Sequence, residues 1–240
     1  MLRITLNRPE KRNAINREMI AELTAALQES AHPDDVRVVL LDAAGSDFCA
    51  GMDIAELMES ADAGVAAHRE AAASLAELYR AMRKHPRPVV AAVRGRALGG
   101  GCGLAMASDV VLASESAQFG FPEVKIGFVP AIVMSLLRRS VGEKRAFDLL
   151  ASGRSIGARE ACEIGMITRV SADAEFDALV DAYVTGLAET SGTAVGMTKK
   201  LLYGIDGMSF DAAMDAGVQM NALARMTEDA RRGFERFGKK

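Results

Sequence analysis

Val89-Val-Ala-Ala-Val-Arg-Gly-Arg-Ala-Leu-Gly-Gly-Gly-Cys-Gly103 is the stretch on which the reading of this chain turns. Its apolar opening, 89–93, reads as a buried strand, and the glycine cluster that ends it runs into a helical pattern at 103–108. Amides at such a strand-to-helix turn have no intrahelical partner, so they are available to negative charge. Glycines there permit positive φ and close approach of a ligand to the main chain. An anion or oxyanion site is one reading of Leu98-Gly-Gly-Gly-Cys-Gly103, and a tightly packed turn is the other. A dinucleotide fingerprint fails in both registers: Gly99 with Gly101 puts Leu104 at the third glycine, and Gly101 with Gly103 puts Met106 there.

Outward from this point, short β-rich runs alternate with longer helical patterns. Residues 3–6 read as a strand, 16–30 as an amphipathic helix and 36–41 as a buried strand. A helical pattern over 61–83 is stopped by His85-Pro-Arg-Pro88. After the glycines, 109–113 reads as a strand and 114–130 as loop. Helical patterns follow at 131–140, 143–151 and 158–164, then a short strand at 166–170. Helices at 174–190, 193–203, 209–226 and 228–237 complete an α/β core with a helical tail.

The chain has 240 residues, half hydrophobic and a quarter charged, which suits one soluble domain with an appendage. A net charge of −3 offers nucleic acid or an anionic membrane no general attraction, so neither is an expected partner. The N-terminus lacks a signal-peptide run and no stretch is long enough to span a bilayer, so a cytoplasmic location is expected. Cys49, Cys102 and Cys162 form neither a disulfide framework nor a zinc pattern and are read as buried thiols. His32, His68 and His85 are read as surface or capping residues, and no metal site is expected.

Two further segments carry chemistry. Asp47-Phe-Cys-Ala-Gly-Met-Asp-Ile54 is a second strand-to-helix loop, and two such loops side by side would aim two amides at one oxygen. In Gln118-Phe-Gly-Phe-Pro-Glu-Val-Lys-Ile-Gly-Phe-Val-Pro130, the carboxylate of Glu123 stands among Phe119, Phe121, Val124, Ile126 and Phe128. Apolar company raises a carboxyl pKa toward neutrality, where one group both accepts and donates a proton.

These segments, in chain order with Ile4-Thr-Leu-Asn-Arg-Pro-Glu-Lys-Arg-Asn-Ala14, resemble the enoyl-CoA hydratase/isomerase, or crotonase, family over nearly the whole sequence. The resemblance implies a crotonase-like α/β spiral of repeated ββα units, with a core over 1–185 and a C-terminal helical region over 186–240 used for trimerisation. It implies a homotrimer or dimer of trimers. It implies that the Met52 and Gly100 amides hold a thioester oxygen, that Glu123 is a catalytic carboxylate, and that Arg12, Ala14, Ala50, Asp53 and Ile54 line the coenzyme A site. Arg236, Lys239 and Lys240 are further candidates for the coenzyme phosphates. No cofactor is implied, since coenzyme A is part of the substrate.

One position departs from the family pattern. Two-carboxylate hydratases carry Glu where this chain has Gly103, which leaves half of their acid–base pair absent; Asp109, Glu115 and Glu56 are the nearest substitutes in the sequence. Hydration of a 2-enoyl-CoA through a thioester enolate is the first expectation. A Δ3-Δ2-enoyl-CoA isomerase using Glu123 alone is the second, and a non-catalytic acyl-CoA-binding subunit the third.

Overall fold

The computed structural model describes residues 1–31 and 36–237. β1 (Leu2–Leu6) leads to α1 (Arg17–Ser30), and β2 (Val39–Ala43) leads through α2 (Ile54–Glu59) to α3 (Val65–Lys84). β3 (Val89–Val93), β4 (Arg96–Leu98) and α4 (Gly100–Ala107) form the next unit, followed by β5 (Val110–Ser114), β6 (Gln118–Gly120), α5 (Ala131–Val141) and α6 (Glu143–Ser152). β7 (Ser155–Gly157), α7 (Ala158–Glu163) and β8 (Arg169–Ser171) precede the helices α8 (Phe176–Ala188), α9 (Gly192–Gly204), α10 (Phe210–Arg225) and α11 (Glu228–Phe237).

Two sheets result. The larger has the order β1-β2-β3-β5-β8 and is parallel throughout. The smaller has the order β4-β6-β7, with β4 parallel to β6 and β6 antiparallel to β7. The units β3-β4-α4 and β5-β6-α5 each give one strand to each sheet and then a helix, as expected of a spiral of ββα repeats, whereas β1 and β2 give strands to the larger sheet alone. The corner between β3 and β4 needs Gly95: its φ is +59°, and a Cβ there would fall 1.9 Å from the Ser46 carbonyl oxygen.

Parallel pairing requires crossovers that cover both faces of a sheet, which is why the central strands β2, β3 and β5 open as continuous apolar runs, whereas the edge strand β1 alternates apolar and polar residues. Val39, Leu41, Val89 and Ala91 face a core that includes Leu23 and Leu27 of α1 and Leu78 and Met82 of α3. Their neighbours Val38, Leu40, Val90 and Leu112 face Phe176, Val180 and Val184 of α8. Asn16 starts α1 by accepting the Met19 amide on its side chain, and the buried stripe Met19, Ile20, Leu23, Leu27 continues it at helical spacing. No helix among the described residues is long and apolar enough to cross a membrane.

Several boundaries differ from the sequence reading. α4 begins at Gly100, three residues before the helical pattern at 103, because tertiary contacts override the weak helix propensity of glycine. The stretch read as loop, 114–130, contains β6 and a 3-10 turn at Pro122–Ile126. β4 and β7 are three residues each, too short to show a period. His85 is buried and not on the surface: its ring contacts Ser30 Oγ at 3.2 Å and its Nδ1 accepts the Arg87 amide at 3.1 Å. His68 is exposed, and His32 lies outside the described residues. Cys49 and Cys102 are buried thiols, whereas Cys162 is partly exposed.

A buried charge pair ties the helical tail to the core. Lys199 of α9 lies 2.7 Å from Asp109 and donates to the carbonyl oxygens of Met82 at 2.8 Å and Arg87 at 3.2 Å. Asp109 also accepts from the Val89 amide and the Tyr203 hydroxyl, each at 2.7 Å. Removing one partner strands the other in a poorly solvated place. Lys199→Met is therefore expected to lower unfolding free energy by roughly 3 kcal/mol, the lower part of the range for breaking a buried pair, because Asp109 keeps two donors. A urea titration showing no loss would contradict this role.

Candidate active site

The loop after β2 is held by groups that the sequence reading did not single out. Arg96 grips Asp47 in a two-pronged contact, Nε to Oδ1 at 2.7 Å and Nη2 to Oδ2 at 2.9 Å, which holds the Asp47 carboxyl below its usual range. Asn13, fully buried at φ +54°, donates to the Ala44 and Asp47 carbonyl oxygens, each at 2.8 Å. Arg8 donates to the Ala14 carbonyl at 2.6 Å and to the Asp53 carboxylate at 3.1 Å. Arg8 and Asn13 stand inside the N-terminal stretch quoted above, but nothing in their spacing reveals partners some 30 to 45 residues away.

Between these anchors, 49–53 runs as an extended segment between Ile15 and β4. Cys49 bonds β4 on both sides of Ala97: its amide donates to Arg96 O at 2.9 Å, and Leu98 N donates to its carbonyl at 2.9 Å. Two residues later the contacts switch to the other flank, where Gly51 O accepts Ile15 N at 2.7 Å and Asp53 N donates to Ile15 O at 2.8 Å. Gly51 makes the switch possible at φ +102°. In a trans peptide the carbonyl and the following N–H point in opposite directions, so the Met52 amide points away from Ile15, toward the side of β4 and α4.

α4 supplies the second amide. Gly99, at φ +49°, donates to Gly120 O at 2.8 Å and offers its carbonyl to Gly103 N at 3.1 Å. The Gly99 carbonyl therefore points along the helix, and the Gly100 N–H points out of its open end. A Cβ placed on Gly51 would lie 3.1 Å from Leu98 O and 3.9 Å from Gly100 N, and the Met52 sulfur is 3.6 Å from where a Cβ of Gly100 would stand. The two turns are in contact. Neither amide has a backbone acceptor among the described residues.

Glu123 is brought to the same place by the 3-10 turn, which Gly127 closes at φ +76°. A Cβ on Gly99 would fall 2.8 Å from Glu123 Oε1. Oε2 is buried with no hydrogen-bond partner among the described residues. Desolvation pushes the carboxyl above its ordinary value. Its apolar company is only partly as expected: Phe119 and Phe121 are buried, but Val124, Ile126 and Phe128 point outward, Phe128 being 55% exposed.

The place beside Gly103 is taken by Tyr79 of α3, a residue unremarkable in the sequence except as part of the apolar stripe Leu75, Leu78, Tyr79, Met82. Its hydroxyl donates to Gly100 O at 2.7 Å. The substitute acids considered from sequence are all engaged elsewhere. Asp109 is paired with Lys199, Glu115 with Arg159 at 3.3 Å, and Glu56 with Arg17 at 3.0 Å. Burial raises the Cys49 thiol to about 12 and the Cys102 thiol further, so neither supplies a thiolate.

The chain belongs to the enoyl-CoA hydratase/isomerase family. The family model matches residues 1–240. The chain is 38% identical over 237 residues to a Thermus thermophilus protein whose name places it provisionally among enoyl-CoA hydratases, covering 99% of this chain and 94% of that one. It is 32% identical over 243 residues to the 1,2-epoxyphenylacetyl-CoA isomerase of Escherichia coli, covering 99% and 91%. The crystal structure of an enoyl-CoA hydratase from Mycobacterium smegmatis superposes with a TM-score of 0.95 at 30% identity, covering 99% and 91%.

Of the remaining residues expected to line a coenzyme site in this family, Ala50 donates its amide to Arg12 O at 3.0 Å, which joins the 8–14 turn to the second loop. Arg12 is exposed at φ +51°, and Ile54 is 58% exposed. Asp53 faces its own structure, capping α2 through Ala55 N at 3.1 Å and pairing with Arg8. Arg236 lies on α11, while Lys239 and Lys240 lie outside the described residues. The described residues include no cluster of three or more metal-type ligands.

A raised Glu123 pKa makes a signed statement about stability. The ionised carboxylate is penalised only in the folded chain, so the penalty is absent below the ordinary carboxyl range and grows as pH rises through it. Glu123→Gln should therefore melt above the parent at neutral pH, with the gap closing as pH falls through that range. A gap independent of pH would rule out desolvation as its cause.

Proposed function

We propose that this chain acts on enoyl thioesters of coenzyme A, with the Met52 and Gly100 amides holding the thioester oxygen as an enolate forms and Glu123 moving the proton. The observation that carries the reading is a buried carboxylate oxygen without a partner among the described residues, set against a helix start whose first amide faces the same turn as that of Met52. Amides fixed before the reaction stabilise developing charge without reorganising. In this reading Arg12, Ala14, Ala50, Asp53 and Ile54 border the coenzyme's path, Asp53 by holding Arg8 and α2 in place. No metal or redox cofactor enters.

Of the two reactions in the family's description, the site geometry favours the Δ3-to-Δ2 shift of a double bond. Glu123 takes a proton from C2 of a 3-enoyl-CoA, the electrons move into a dienolate whose oxygen the amides hold, and the same carboxyl returns the proton at C4. One acid–base group suffices, and one is found. Hydration of a 2-enoyl-CoA is the second reading, favoured by the names of the Thermus and Mycobacterium proteins. A cytoplasmic homotrimer or dimer of trimers belongs to the proposal as well. Its support is the row of exposed apolar side chains on the tail, among them Phe210, Met214, Val218, Leu223 and Phe234.

Incubating the protein with 2-hexenoyl-CoA and 3-hexenoyl-CoA in deuterated water separates the readings. A shifted double bond is expected, with deuterium at C4 only to the extent that the Glu123 carboxyl exchanges with solvent before it returns the proton, and a 3-hydroxyacyl product would give hydration the first place. Glu123→Gln should lose about 100- to 10,000-fold in turnover, the usual worth of a positioned general acid–base. Full turnover by that variant would remove Glu123 from the chemistry, and tight acyl-CoA binding with no turnover by the parent would favour the binding-subunit reading.

A further inference from the structure

The first turn of α4 faces Glu123, since a Cβ on Gly99 would fall 2.8 Å from its Oε1. Residues three and four apart share a helix face, so a side chain at 103 would project on the face of Gly99 and Gly100. Its Cβ would point from that turn toward α3. That space is filled from another element: a Cβ on Gly103 would lie 2.2 Å from the Tyr79 hydroxyl oxygen, 2.4 Å from Cζ and 2.8 Å from Cε2. No side chain fits at 103 while the phenol is there. Tyr79 is only 3% exposed, and its one hydrogen bond ties it to Gly100 O, in the turn that bears the α4 amide.

Resting on the function proposed above, we infer that Tyr79 determines the reaction: its phenol occupies the one place where α4 would present a second carboxylate or a water activated by it, and its hydroxyl holds the Gly100 turn. Water addition needs a group that activates water as well as one that protonates carbon. By filling that volume from α3, Tyr79 confines the site to proton shuttling by Glu123. Tyr79 is a positioning residue, since its hydroxyl faces Gly100 and not the open side.

Four variants test this with thermal melts and with product ratios from the two hexenoyl-CoA isomers. Tyr79→Phe keeps the ring and loses the hydroxyl; kcat for the double-bond shift is expected to fall about tenfold, as for one lost hydrogen bond, with KM nearly unchanged. Tyr79→Ala opens the volume without supplying a group that activates water, so it is the baseline, with a ratio of 3-hydroxyacyl to isomerised product close to the parent's. Gly103→Glu alone should melt well below the parent because its Cβ meets the phenol. Tyr79→Ala combined with Gly103→Glu should recover much of that loss and hydrate 2-hexenoyl-CoA faster than Tyr79→Ala alone. The inference is overturned if the double variant melts as low as Gly103→Glu, or if it folds and still keeps the parent's product ratio. Failure of the underlying function reading looks different: Glu123→Gln would retain turnover while the melting interplay of positions 79 and 103 persisted.

Discussion

A Cβ on Gly101 would lie 2.3 Å from the carbonyl oxygen of Cys49, closer than any side chain tolerates. This contact between two main chains, one in the loop after β2 and one in the first turn of α4, is the constraint on which the site depends. Only with nothing between them do the Met52 and Gly100 amides come to share a neighbourhood. The glycines of this region therefore have separate duties. Gly51 turns a peptide over, Gly99 takes a backbone conformation that L side chains rarely adopt, and Gly101 and Gly103 yield volume to Cys49 and Tyr79.

Such a junction is held by polar groups. Asp47 with Arg96, Asn13 with two carbonyl oxygens, and Arg8 with Asp53 fix the second loop. Each joins segments far apart in the chain. The unfavourable elements are a buried Glu123 oxygen without a hydrogen-bond partner and two amides without acceptors among the described residues. In the proposed function, the same features that weaken the folded state here give the thioester oxygen and the mobile proton somewhere to go.

Asp53 illustrates a role that changed on folding. As a sequence element it could equally cap a helix or meet a ligand, and its carboxylate proves to be satisfied by Ala55 and Arg8. The greasy setting expected for Glu123 is likewise made differently. Phe119 and Phe121 are buried, while Val124, Ile126 and Phe128 belong to an exposed run that extends over 124–129. Desolvation comes from the approach of α4 as much as from the residue's own neighbours in sequence.

Periodicity and turn chemistry by themselves determined the parallel α/β core, the two glycine-bearing strand-to-helix loops and the solitary carboxylate of Glu123, because each is a local property of a few consecutive residues. The tertiary structure alone decided that the two loops touch, that Arg8, Asn13 and Arg96 brace them, and that Tyr79 fills the place beside Gly103. Those facts depend on segments tens of residues apart meeting in space. A phenol in a helix stripe looks like any other core residue until the helix it leans on is known.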